Sequence, residues 1–171
     1  IGDKNINLGI QINIEVPSEA GADRIVNAVA VNQFYNSPAI VIDFGTATTF
    51  DVVGKNGSYD GGLIAPGVNL SLQALYMAAS RLPRISISEW DKQLSVVGTN
   101  TKHSMSSGIY WGYISMIEGI VKRIRCEKDL NLEVIATGGL AELFSENCEV
   151  IKLIDINLTL MGLIHIFNIN K

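Results

Sequence analysis

Between Asn7 and Val16 apolar and polar residues alternate: Ile10, Ile12, Ile14 and Val16 are separated by Gln11, Asn13 and Glu15. That period of two predicts a half-buried strand, ended by Pro17. A helix is expected next, with Ile25, Ala28, Val29 and Phe34 on its core side and Asn36, Ser37 and Pro38 as its stop. Ala39, Ile40, Val41 and Ile42 are continuously apolar and rich in β-branched side chains, the pattern of a strand buried on both faces. This run empties into Asp43, Phe44, Gly45, Thr46, Ala47, Thr48 and Thr49, which reads as a tight turn. The next strand is expected over 50–53, a hairpin turn at Gly54, Lys55, Asn56 and Gly57, and a returning strand over 59–65.

Pro66-Gly67 ends that strand, and a helix follows over 70–82 with Leu72, Leu75, Met77 and Ala79 available for packing. The longest helical pattern covers 100–126, with Met105, Ile109, Gly112, Ile117, Ile120, Val121 and Ile124 on or near one face. Gly108 and Gly112 lie one turn apart there, leaving room for another backbone. The tail alternates: strands over 133–136 and 150–153, helices over 140–146 and 159–168. A β-meander followed by βαβα is an α/β lobe. No repeat, low-complexity tract or linker interrupts it.

Composition narrows the class. With 171 residues, 47% hydrophobic and 18% charged, the chain is globular rather than disordered. Its charged fraction is below the roughly 25% of ordinary domains, which points to a surface partly covered by a second subunit or another segment. A net charge of -4 supplies no basic excess to neutralise a run of phosphates, so nucleic acid is not an expected partner. No apolar run reaches the ~20 residues of a membrane span, and Asp3, Lys4 and Asn5 interrupt any leader-like stretch, so a cytoplasmic location is expected. Cys126 and Cys148 fit no metal spacing and read as small core residues in a reducing compartment.

The segment 43–49 carries the clearest chemistry. Gly45 lets backbone approach a ligand, the N–H groups and hydroxyls of Thr46, Thr48 and Thr49 suit phosphate oxygens, and Asp43 suits a cation that accompanies them. A plain hairpin of β-forming threonines, with Asp43 capping its turn, fits as well. Gly21-Ala22-Asp23-Arg24 opens a helix. There Asp23 either answers the helix dipole or accepts a proton from a hydroxyl nucleophile, with Arg24 fixing an anionic substrate group. Gly61-Gly62 and Pro66-Gly67 flank Leu63, Ile64 and Ala65; either they bring a strand close to a ligand or they are ordinary turns. Thr137-Gly138-Gly139, between a buried strand and a helix, suits the approach of a base or phosphate but lacks the third glycine of a dinucleotide fingerprint. Gly98-Thr99-Asn100-Thr101 precedes the long helix, where Asn100 or Thr101 is a natural N-cap. His103 and His165 have no partner at ligand spacing, and Trp90 and Trp111 read as packing anchors.

Taken in order, Gly21 to Arg24, Asp43 to Thr48, Gly61 to Gly67, Gly98 to Thr101 and Thr137 to Gly139 resemble the type III pantothenate kinases, of the acetate and sugar kinase and actin-like ATPase superfamily. The resemblance covers essentially the whole chain. It implies a ribonuclease-H-like, actin-type fold, with residues 1–37 the end of a first lobe and 38–171 a second. It implies phosphorylation of pantothenate by ATP, the first step towards coenzyme A, by a homodimer using Mg²⁺ and a monovalent cation, K⁺ or NH₄⁺. Asp23 would then be the general base, with Gly21, Ala22 and Arg24 shaping the pantothenate site and Thr101 reaching it from the neighbouring subunit. Asp43 would hold the monovalent cation, and Gly45, Thr46, Thr48, Gly138 and Gly139 would meet ATP. The family's Asp-x-Gly-Asn-Thr phosphate-binding hairpin does not occur in these residues, so on their own they are expected to show negligible turnover. The alternatives are another small-molecule kinase of the superfamily, with a sugar or acetate as acceptor, and a non-catalytic regulatory relative.

Overall fold

The computed structural model describes residues 5–90, 95–128 and 130–171. Five strands form one mixed sheet in the order β3-β2-β1-β4-β5. The strands β1 (Ala39–Phe44), β2 (Ala47–Val53) and β3 (Tyr59–Pro66) make an antiparallel meander, while β4 (Glu133–Gly138) and β5 (Leu153–Ile154) run parallel to β1. The continuous apolar run of β1 is buried as its pattern requires, because β1 is the central strand and is covered on both faces. The hairpin between β2 and β3 closes at Gly54 to Gly57, where Gly57 adopts φ +74 and the Gly54 N–H donates to the Ser58 carbonyl at 2.8 Å.

One face of the sheet, carrying Ile40, Ile42, Phe44, Phe50 and Val134, packs against α2 (Val68–Ala78), α3 (Thr101–Lys128) and α4 (Ala141–Ser145). Aromatic rings fill that layer. Phe144 stacks on Phe44 at 5.2 Å between centroids, and Tyr110 stacks on Trp90 at 5.0 Å, with Trp111 edge-on to it. Both tryptophans therefore act as packing anchors. The opposite face, carrying Ala39, Val41, Val53 and Ile135, packs against α1 (Ala22–Phe34) and α5 (Leu158–Ile169). These two helices touch closely, because a methyl group at Gly162 would collide with the Val26 carbonyl.

Several expectations change. The segment 10–15 does alternate in burial, with Ile10, Ile12 and Ile14 packed on the core, but Val16 is exposed, and among the described residues the segment makes one isolated bridge, Ile12 to Tyr59, and is no strand. Its period of two comes from lying as an extended strap with one side on the core. Phe34 is 46% exposed, because α1 ends there and the residue points off the packed face. Ala47, Thr48 and Thr49 belong to β2, so the turn shrinks to Gly45 and Thr46. The expected helix over 70–82 is α2, two residues earlier in its start and ended at Ala78. Among the described residues of this chain, nothing lies within 4 Å of where a Cβ at Gly108 or Gly112 would stand. Cys148 is buried as expected, but Cys126 is exposed near the end of α3.

Candidate active site at the meeting of α1 and β1

The site is built where the start of α1 crosses the C-terminal end of β1. Along β1 and β2 the odd-numbered side chains share the α1 face, so Asp43, its cross-strand partner Thr49 and the next same-face residue Asp51 are presented to α1 together. Thr137 of β4 stands beside Asp43 in the parallel register. From above, α1 contributes Asp23, Arg24 and Asn27, and the helical spacing of four puts Asp23 and Asn27 on one side.

Asn27 is 1% exposed and donates through Nδ2 to Asp43 Oδ2 at 3.1 Å. Burial pushes the Asp43 carboxyl above its usual range; the Asn27 hydrogen bond pulls it back, and the negative charge of Asp23 adds to the rise. Asp23 itself is exposed at the start of α1. Asp23 Oδ1 accepts the Arg24 N–H at 2.9 Å, an N-terminal contact that orients the carboxylate. Gly21 makes room for it, since a Cβ there would stand 2.6 Å from Asp23 Oδ1. Ala22 is exposed on the first turn of the helix.

The other oxygen of Asp43, Oδ1, looks into a notch that exists because two neighbours lack side chains. A Cβ at Gly138, where φ is +89, would lie 2.8 Å from that oxygen, and one at Gly45 would lie 3.5 Å away. Beyond the notch a cleft of about 530 Å³ is lined by Gly45, Thr46, Gly139, Asn69 and Gln73, among others. The N-terminus of α2 closes its side, with Gly67 so near the Thr46 carbonyl that a Cβ would collide. Glycine backbone, an exposed Thr46 and a helix N-terminus together suit the oxygens of a polyphosphate.

Arg24 is fixed from below. Its Nε donates to Asp51 Oδ1 at 2.6 Å, and the two side chains are 14% and 0% exposed. Asp51 also accepts the Thr49 hydroxyl at 2.9 Å and the Tyr59 hydroxyl at 3.2 Å. Burial pushes Asp51 up against the pull of Arg24, and the same burial beside Asp51 raises the Tyr59 phenol to about 12. Arg24 Nη2 is buried without a hydrogen-bond partner among the described residues, and a Cβ at Gly62 would lie 2.8 Å from it.

Other expected residues fall elsewhere. Thr48 is 0% exposed on the core side of β2, its hydroxyl without a hydrogen-bond partner among the described residues, so it does not reach the cleft. Its neighbour in sequence faces the other way because strand side chains alternate. Thr101 is exposed at the start of α3, across the sheet from Asp23, with Asn100 accepting the His103 N–H at 3.0 Å as the cap. His103 bonds the Ser95 carbonyl and tilts against Trp90, and His165 meets Phe34 edge-on. Among the described residues no group of three His, Cys, Asp or Glu stands ready for a metal ion. No described helix is long and apolar enough to cross a membrane.

With this geometry in place, the sequence comparisons decide the family. The model of the type III pantothenate kinases matches residues 1–123. The chain belongs to that family. A type III pantothenate kinase of Paramagnetospirillum magneticum is 53% identical over the whole chain, and one of Rhodospirillum rubrum is 54% identical over the same span. The chain covers 65% of each of those proteins, so it spans just under two thirds of the relatives it matches. A family member from Halalkalibacterium halodurans is 51% identical over 165 residues, 96% of this chain and 64% of its own. Among solved structures, a Campylobacter jejuni protein described as a Baf family transcriptional activator aligns with TM-score 0.66 at 23% identity. The alignment covers 96% of this chain and 72% of that one, a likeness of fold alone.

Three residues of the site escaped the sequence: Asn27, Asp51 and Tyr59. Each had a signal. Asn27 interrupts the apolar run from Ile25 to Val31, and Asp51 interrupts Phe50, Val52 and Val53. A polar residue inside such a run has to find a buried partner.

Proposed function

We propose that the protein carrying this chain transfers the γ-phosphoryl group of ATP to the primary hydroxyl of pantothenate, the first step towards coenzyme A. The observation that carries it is the hydrogen bond from Asn27 to Asp43, which ties α1 to the end of β1, with Asp23 one helical turn before Asn27 and Gly45 both beside Asp43 and in the wall of a cleft. Family membership agrees with it.

In this reading Asp23 accepts the hydroxyl proton while the freed oxygen bonds to the γ-phosphorus and ADP leaves with its bridging oxygen. The charge appears late, so a carboxylate suffices as base, and most of the rate comes from positioning and charge stabilisation. Arg24, braced by Asp51, faces the carboxylate of pantothenate, with Gly21 and Ala22 shaping that pocket. Gly45, Thr46, Gly138 and Gly139 take the nucleotide. The notch at Asp43 Oδ1 fits a K⁺ or NH₄⁺ ion, which supplies positive charge beside the phosphates, and Mg²⁺ travels on the phosphates themselves, as its preference for few protein ligands allows. Thr101, exposed beyond the sheet, serves the site of a second copy in a homodimer. The strand order and antiparallel meander support a ribonuclease-H-like, actin-type lobe from residue 38, with 1–37 the end of a first lobe. A reaction that consumes ATP and feeds coenzyme A synthesis is placed in the cytoplasm.

An acceptor panel tests this. The intact protein is given MgATP and pantothenate, a hexose or acetate, and ADP release is followed by a coupled assay. Release with pantothenate alone is expected. Release with another acceptor, and none with pantothenate, would transfer the activity to a different kinase of the superfamily.

A further inference from the structure

The hydrogen bond that holds Asp43 does not end at Asn27. Thr159 of α5 donates its hydroxyl to Asn27 Oδ1 at 2.7 Å, on the side of the amide opposite to Asp43. An amide offers one acceptor and one donor group; the Asp43 carboxylate only accepts and so takes Nδ2, and the Thr159 hydroxyl, able to donate or accept, holds the Oδ1 end in place. With Nδ2 turned to the carboxylate, Oδ1 accepts from the threonine hydroxyl, which anchors the far side of the amide. Flipped, the amide would set an oxygen against Asp43 Oδ2 and leave two donors nearer the hydroxyl.

The fold invests in this contact. Asp155, Thr159, Gly162 and Ile166 repeat at helical spacing along the side of α5 that meets α1, with Asp155 just ahead of the helix. Asp155 accepts the Tyr35 hydroxyl at 2.8 Å, beyond the far end of α1. Gly162 seats against the Val26 carbonyl, and Ile166 is buried among Ile25, Val26 and Val29. Thr159 is the polar member between these pins, and Asn27, nearly enclosed, lies under it. Thr159 lies 116 positions beyond Asp43 in the chain, so helix packing alone brings it to the site.

We infer that Thr159 and Asn27 form a positioning relay that fixes Asp43 Oδ2, so that Oδ1 alone is presented to the glycine notch. Neither residue touches a reacting group. Their role is to keep one carboxylate oxygen directed at the cation, and it rests on the assignment of Asp43 made above. Supporting groups of this kind, when removed, characteristically cost 10-fold to 100-fold in ion affinity or activity, so a loss of about tenfold is expected here.

The test compares the parent with Thr159→Val, which keeps the shape and removes the hydroxyl, and with Thr159→Ser, which restores it. In the intact protein, the potassium concentration for half-maximal ADP release is expected to rise about tenfold in Thr159→Val and to return to the parent value in Thr159→Ser. Independently of activity, the Asn27 side-chain amide protons, followed by nitrogen-15 NMR, are expected to exchange faster with solvent in Thr159→Val only. An unchanged potassium requirement in Thr159→Val, or a serine variant as impaired as the valine one, overturns the relay. If the parent itself shows no pantothenate-dependent ADP release, the functional reading fails. The Asn27 amide signals then still decide the relay, unchanged exchange in Thr159→Val overturning it.

Discussion

Replacing Asp23 with asparagine is expected to lower turnover with pantothenate by roughly 10²–10⁴-fold, the range a positioned general base supplies. The substitution is nearly isosteric, and an asparagine oxygen can still accept the Arg24 N–H that orients the side chain in the parent. The fold of α1 therefore survives. ATP affinity is expected to hold as well, because the cleft at Gly45, Thr46 and Gly139 lies beyond Asp43 and uses other groups. Steady-state kinetics paired with calorimetric titration of MgATP separate the two effects. A variant with near-parent turnover would remove Asp23 from the chemistry.

The second large effect concerns Asp51. Truncation to alanine strips the buried Arg24 Nε of its partner while Nη2 already has none among the described residues, and it also leaves the Tyr59 and Thr49 hydroxyls without their shared acceptor. Breaking a buried pair by removing one member costs about 3–5 kcal/mol, far more than the pair's net contribution relative to an apolar replacement. For a chain of this size that corresponds to a fall in melting temperature of roughly 6–20 °C. Arg24→Ala should be milder, since Asp51 keeps two hydroxyl donors. Thermal melts of both variants check the ordering. An Asp51→Ala protein that melts with the parent would show that the pair is not the buried anchor described here.

Much of the fold could be read from local pattern. The β-branched run of Ala39 to Ile42, the Asn56-Gly57 turn and the long periodic stretch that became α3 each carry a strong local cause, and the structure keeps all three. The strap at 10–15 misled because period two records one-sided burial, whether or not a neighbouring strand supplies hydrogen bonds. Thr48 and Thr49 were drawn into a turn by the glycine before them, although their β-branched side chains fit the strand they occupy.

The site was legible in its charged landmarks and opaque in its supports. Asp23 and Asp43 stood beside glycines at element ends, where a sequence advertises chemistry. Asn27, Asp51 and Thr159 stand in apolar stretches, and their meaning depends on register and helix packing, which join residues from the start, middle and end of the chain. Thr48 shows the converse: its sequence neighbourhood pointed to phosphate, but strand alternation turned it into the core.

The central claim is that the opening of α1 and the end of β1 serve one reaction. A structure of the intact protein with pantothenate and a non-hydrolysable ATP analogue measures this directly. The primary hydroxyl of pantothenate is predicted within about 2.6–3.2 Å of an Asp23 oxygen, with the analogue's terminal phosphate between it and the notch at Gly138. A hydroxyl turned away from Asp23, with that carboxylate left facing solvent, would contradict the account.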